Sequence, residues 1–189
     1  MDSLSEKIRQ KAAELGISKI GFARAENLAA DGIRFFEWLG RAYHGEMAWL
    51  EREPEKRTDP RLIFPEAKSV ISVAVNYYTP AHHEADLGSG KISRYAWGDD
   101  YHDVVKEKLR VLLDWIVAEY PEAAGKVCVD TSPLMEKAWA ARAGLGWIGK
   151  HANVITKEFG SWVFLGEILL DLELDYEEPI ADHCGSCTA

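Results

Sequence analysis

The sequence predicts an α/β domain, a single unit with a mixed β-sheet flanked by helices. Three observations predict it. Apolar, β-branched runs alternate along the chain with segments of helical period. The run Ser69 to Tyr78, SVISVAVNYY, is almost wholly apolar, as a strand covered on both faces must be. Two further strand-like runs close the chain around Phe159 and Gly160. At 189 residues, with 47% hydrophobic and 28% charged residues, the chain has the make-up of one packed core, which excludes a disordered, collagen-like or coiled-coil protein.

The elements follow in order. SLSEKIRQKAAEL is a helix, with Ser3 or Ser5 to cap it, Leu4, Ile8, Ala12 and Leu15 on one face and Gly16 to end it. SKIGFARA reads as a strand. FFEWLGRAYHGEMAWLERE reads as one broken helix or two short ones, interrupted near Gly45. From Arg52 to Pro65 the chain is charged and marked by proline, a surface loop, and Ser69–Tyr78 is the central strand. Gly88 to Gly90 mark a loop. In DYHDVVKEKLRVLLDWIVAEYP, Val105, Leu109, Leu112 and Ile116 share a face and Pro121 stops the helix. KVCVDTSP is a short strand ending at Asp130, LMEKAWAARAG a small-residue helix with Pro133 near its start, and ANVITKEFGSWVFLGEILLDLEL two strands joined at Phe159 and Gly160.

Charge and composition narrow the function. Lysine and arginine number 22 against 31 aspartate and glutamate, a formal charge of −9, so any contact with nucleic acid is local. No apolar run reaches the length of a membrane span, and MDSLSEKIRQ has neither the basic nor the apolar region of a secretory signal, so a cytoplasmic protein is expected. Cys128, Cys184 and Cys187 are too few and too uneven for a disulfide framework. The 7 tryptophans and 7 tyrosines suit the walls of a large flat ligand, and an ordinary core equally well.

Several residues carry possible chemistry. Asp130 stands at a strand end before a turn and a helix, where α/β sheets place ligand-contacting groups, although Asp-Thr-Ser-Pro is also a good helix cap. Gly144, Gly146 and Gly149 spell G-x-G-x-x-G, but a helix precedes and a strand follows, the reverse of a dinucleotide site. The glycines instead allow close backbone approach to another segment or a ligand, with Lys150 and His151 at the exit. His82 and His83 lack the helical spacing of a metal pair, and His102 is either a proton-handling group or part of a polar first turn. Cys184-Gly-Ser-Cys187 opens a C-x-x-C, the start of a zinc knuckle (with His183), a redox pair or an iron–sulfur site. In a ferredoxin run the third cysteine would fall just past Ala189, so a chain cut inside a cluster loop is expected.

DPRLIFPEAKSVISVAVNYY, SRYAWGDDYH, VDTSPLMEKAWAARAGLGWIGKHANVI, GSWVFLGEILLDLEL and the closing DHCGSC are similar to the epoxyqueuosine reductase family across essentially the whole chain. Members resemble reductive dehalogenases, with an N-terminal cobalamin-binding α/β domain, a ferredoxin-like module with two four-iron four-sulfur clusters, and a C-terminal helical-repeat region. They reduce the epoxide of epoxyqueuosine in the tRNA anticodon loop to the alkene of queuosine. The resemblance implies a cobalamin-binding catalytic domain over 1–180 and a truncated ferredoxin-like module over 181–189. Asp130 matches the family's proposed proton donor, which burial against the ring would keep protonated.

It further implies walls for cobalamin at Arg57, Ser93, Tyr95, Trp97, Asp130, His151, Val154 and Leu165. Tyr101, His102 and Lys137 face the substrate, and Cys184 and Cys187 ligate iron. The implied partners are tRNA carrying epoxyqueuosine and an external electron donor, with no membrane and a monomeric enzyme. With two of four cluster ligands the chain by itself is expected to be inactive and a poor tRNA binder. The competing reading is a non-catalytic domain that positions a downstream ferredoxin module.

Overall fold

The computed structural model describes residues 3–83, 88 and 90–187; Ser89, in the expected Gly88–Gly90 loop, lies outside them. Among the described residues five α-helices, α1 (Leu4–Glu14), α2 (Ala29–Gly40), α3 (Pro54–Thr58), α4 (Tyr101–Glu119) and α5 (Glu136–Arg142), accompany six strands. The strands are β1 (Lys19–Arg24), β2 (Ser69–Asn76), β3 (Gly125–Cys128), β4 (Trp147–Ile148), β5 (Val154–Ile155) and β6 (Val163–Leu170). The main sheet has the order β1-β2-β6-β3, with β2 central as its apolar run demands and buried from Ser69 to Ala74. Among the described residues every pairing in it is antiparallel, which corrects the mixed sheet expected. The physical reason is placement. The helix α4 carries the chain from β2 to β3, which point the same way, but β6 inserts between them and turns both contacts antiparallel.

The α/β class holds, and the sheet is buried on both faces. Ile71, Val73, Ile168 and Leu170 pack with Ile8 and Ala12 of α1 and with Leu109, Leu112 and Ile116 of α4. On the opposite face Ala23, Val70, Cys128 and Leu169 pack against Trp139 and Ala143 of α5. Gly21 permits this second contact: a Cβ there would lie 1.9 Å from the carbonyl oxygen of Ala143. Ser3 caps α1 and Asp100 caps α4 through side-chain oxygens that accept main-chain N–H groups.

Three local expectations change. The helix begins at Ala29, earlier than its aromatic run suggests, and ends at Gly40; a separate 3-10 turn covers Ala48–Glu51. The charged segment after Arg52 holds α3 and a 3-10 turn at Pro60–Leu62, each started by a proline whose missing N–H suits a first helical position. Finally, β5 and β6 do not pair with each other. A bridge between Thr156 and Gly160 closes the turn, and β5 leaves the sheet to pair with β4. The glycine motif serves that pairing, because a Cβ on Gly146 would lie 2.2 Å from the carbonyl oxygen of Ile155.

Candidate active site

The strand β3 ends at Cys128, and the chain then turns through Asp130 in the left-handed region, φ 45°, before entering α5. A non-glycine residue held there stores backbone strain and needs its surroundings to fix it. Two contacts do so. The Asp130 main-chain N–H donates to Glu136 Oε1 over 2.5 Å, and Asp130 Oδ2 lies 3.0 Å from His102 Nε2. The His102 Nδ1 is 2.7 Å from Asp100 Oδ1, and that cap oxygen also accepts the His102 main-chain N–H. One imidazole thus bridges two carboxylates, and its hydrogen bonds, first to Asp130 and then to Asp100, hold it above the ordinary histidine value.

Asp130 is not buried as expected: half of its side chain is exposed (50%). Burial falls on its neighbours. It pushes the Glu136 carboxyl up to about 7, assisted by the Asp130 charge and opposed by the Asp130 N–H, and the Tyr101 phenol up to about 12. It also pushes the Cys128 thiol up to about 11, which leaves that cysteine a packing residue. Beneath α5 lies Glu167, fully buried in β6 opposite Ser72 of β2. Its Oε1 is 3.3 Å from Ser72 Oγ while Oε2 has no partner, and burial drives its carboxyl well above the usual range.

Two clefts meet at Asp130, Glu136 and Lys137. The first, about 800 Å³, runs between α2 and α5, where Leu28, Phe35, Trp38, Leu134 and Met135 form an apolar lining. The second, about 370 Å³, is walled by Tyr77, Phe164, Val154, Val163 and Leu165, with Tyr95, Tyr101, Asn153 and Ser161 adding polar atoms. A stack of rings supports that wall: His102 on Tyr101 at 4.0 Å, Tyr101 on Phe164 at 4.3 Å, and Phe164 on Tyr77 at 4.4 Å between centroids. Lys137 Nζ donates to the Ala152 carbonyl and to Asn153 Oδ1 at 3.1 and 2.7 Å, and so fastens α5 to the segment before β5.

Of the residues singled out in the sequence, Asp130, Tyr95, Tyr101, Lys137, Val154 and Leu165 come together around the second cleft, with His102 on Asp130. The others stand apart from its lining. His151 Nε2 is tied to Ser161 Oγ at 3.0 Å, behind the wall. Ser93 and Trp97 line a separate cleft with His82 and His83. Arg57, its guanidinium 5.3 Å from the Trp49 ring, lines neither cleft that touches Asp130. Cys184 Sγ accepts from Trp147 Nε1 over 3.4 Å and Cys187 is exposed; no described group of three His, Cys, Asp or Glu side chains is disposed to hold a metal. Sequence reasoning missed Glu136 and Glu167. A lone acid inside the apolar run of β6 was the available signal for Glu167, whereas Glu136 looks like any first-turn glutamate.

Comparison with known proteins bears directly on this geometry. A family profile described as "Epoxyqueuosine reductase QueG, DUF1730" matches residues 57–131, ending just past Asp130. Epoxyqueuosine reductase of Cellulophaga algicola is 46% identical over 98% of this chain, and that of Leadbetterella byssophila 44% identical over 100%. The chain is similar to epoxyqueuosine reductases along almost its whole length. It spans about three fifths of these relatives, 60% and 62% of their lengths. Among solved structures, an epoxyqueuosine reductase with an epoxyqueuosine-modified tRNA-Tyr stem loop superposes with a TM-score of 0.90 at 34% identity, covering 98% of this chain and 50% of that one. A Bacillus subtilis member, with its catalytic aspartate loop swung out of the active site, gives 0.87 at 32% identity over 98% and 50%. The fold extends to a reductive dehalogenase at TM-score 0.58 and 15% identity, covering 100% of this chain and 23% of the dehalogenase.

Proposed function

We propose that residues 1–180 are the cobalamin-binding catalytic part of a reductase that converts epoxyqueuosine to queuosine in a tRNA anticodon loop, and that 181–189 begin its iron–sulfur module. The observation that carries this is Asp130, fixed at the meeting of two clefts and hydrogen-bonded to a histidine whose proton affinity is raised. Removing an epoxide oxygen as water takes two electrons and two protons, so an acid beside the substrate is required. Asp130 presents its carboxyl to the junction, and His102 resupplies its proton across the 3.0 Å contact, with Asp100 stabilising the imidazolium. Tyr101 and Lys137 flank the same opening, where they orient the base and meet anticodon phosphate. The acidic balance, −9 overall, restricts tRNA contact to such local groups.

The residues present fit cobalamin. A ring with apolar faces and an amide-bearing rim needs an apolar wall edged by hydrogen-bonding groups, which Val154, Val163 and Leu165 with Tyr95, Asn153 and Ser161 supply. Arg57, whose Nε is buried without a partner among the described residues, is a proposed contact from outside that lining. Ser93, Trp97 and His151 are proposed contacts from the adjoining segments. Bound cobalamin would supply a strongly reducing cobalt centre to attack the substrate. Cys184 and Cys187 are two of the ligands of a four-iron four-sulfur cluster fed by an external electron donor. Among the described residues no helix is long and apolar enough to cross a membrane, and a monomer in the cytoplasm fits this work.

The test is a visible spectrum of the chain after incubation with cobalamin under reducing conditions and gel filtration. A retained base-off spectrum supports the reading; a folded chain that retains none overturns it. In the full-length reductase, Asp130→Ala is expected to keep cobalamin and lose turnover, and unchanged turnover would remove Asp130 from the acid's role.

A further inference from the structure

Nothing in the proton chemistry above uses Glu136, yet its placement is the most constrained at the junction. It lines both clefts beside Asp130, and its Oε1 accepts the main-chain N–H of Asp130 at 2.5 Å. That N–H belongs to the one residue of the Val129–Leu134 turn whose φ is positive, 45°, so the bond closes the turn at its strained point. The remaining contacts on Asp130 are made by its side chain, to His102 and Tyr101, and they engage the carboxyl that must act. Glu136 therefore holds the backbone and leaves the acid's oxygens free for chemistry. The helix α5 that carries it is itself fixed from below, with Trp139 and Ala140 fully buried against the sheet.

We propose that Glu136 is a positioning residue: by accepting the main-chain N–H of Asp130 it latches the acid's turn at the cleft junction, and releasing that bond frees the turn to leave. The charged and titratable groups around the latch are Asp130, His102, Tyr101, Lys137 and Cys128, with Glu167 beneath. Glu167, fully buried beneath, has its carboxyl driven well above the usual range by burial and then by the Glu136 charge. The proposal rests on the reading of Asp130 as the acid, and its test separates the two.

The latch is read first without turnover, by amide hydrogen exchange and the proton–nitrogen correlation spectrum of the chain. The Asp130 amide is expected to be protected and shifted downfield. Glu136→Met, close in size but with no oxygen, abolishes that protection, whereas Glu136→Gln, whose amide oxygen still accepts, keeps it. In the full-length reductase Glu136→Met is expected to retain cobalamin and the KM for tRNA while kcat falls roughly a hundredfold through misplacement of the acid. Glu136→Gln restores most of the loss. An Asp130 amide equally protected in Glu136→Met, or a kcat that does not fall, overturns the latch. So does a parallel loss of cobalamin and thermal stability, which would mark Glu136 as merely structural. Asp130→Asn is the control: if it turns over normally, the acid's assignment fails, while the amide readout still judges the latch by itself.

Discussion

Replacing Glu167 by glutamine should make the protein more stable at neutral pH and change the shape of its stability curve. The side chain is fully buried, one oxygen touches Ser72 Oγ at 3.3 Å, the other has no partner, and Glu136 adds a nearby negative charge. Burial thus keeps the carboxyl protonated in the native state, whereas in the unfolded chain it ionises at its ordinary 4.5. A raised native value means the stabilising contribution is intact below 4.5 and drains away as pH climbs towards the native value. The drain grows by about 1.4 kcal/mol for each pH unit between the unfolded value and the native one. Glutamine is neutral in both states, so it removes the drain but leaves an amide N–H short of a partner, costing about 1–2 kcal/mol. The two curves should cross above pH 4.5, where the drain overtakes that cost, with the variant the more stable above the crossing. Urea unfolding followed by tryptophan fluorescence at pH 5, 6, 7 and 8 measures this directly. Glu136 and His102 also bind protons more tightly in the native state, so both proteins keep a shallower decline with rising pH. Parallel curves for the two proteins would refute the reasoning, because they would mean Glu167 is ionised in its buried position.

Gly21→Ala should lower stability by about 2–3 kcal/mol and the melting temperature by roughly 5–10 °C in calorimetry, since the new Cβ, 1.9 Å from the Ala143 carbonyl oxygen, forces α5 off the sheet. Trp139→Phe should cost about 1 kcal/mol where Trp139→Ala costs about 3–5 kcal/mol, because the buried indole N–H has no acceptor and its loss offsets part of the cavity; equal costs in urea would deny that. The His102 ring should titrate above 6.5, and Asp130→Asn should bring its midpoint down, as followed by the ring proton resonances. The stabilising share of that contact is complete below 6.5 and fades as pH rises through the raised value; an unmoved midpoint would break the link between the two residues.

What could be read from residue order was whatever local pattern controls. The 4, 3, 4 spacing of Val105, Leu109, Leu112 and Ile116 places α4, and all four residues are buried. The unbroken apolar run of β2 marks it as central, and the strand before Asp130 is present but ends at Cys128, two residues short of the expected end. Strand direction was not legible, because the alternation of strands and helices is satisfied equally whether β2 and β3 are neighbours or have β6 between them. Short elements set by long-range contact were also hidden: α3 occupies a segment with the composition of a loop, and β5 turns to β4 through backbone proximity that only the glycine at 146 hints at.

The site divides along the same line. Asp130 was visible because a strand end followed by a turn is a local signature, and its partner His102 arrives from 28 positions earlier through tertiary placement alone. An acid sunk in the protein would be protonated but unable to reach a substrate. Here the Asp130 carboxyl stays half exposed at 50%, an imidazole of raised proton affinity stands beside it, and desolvation acts on Glu136 and Glu167. Under the proposed function such a division keeps access and proton supply at the opening, while Glu136 holds the turn and Glu167 stays buried in β6, two roles with no signature in the sequence beyond one glutamate in an apolar strand.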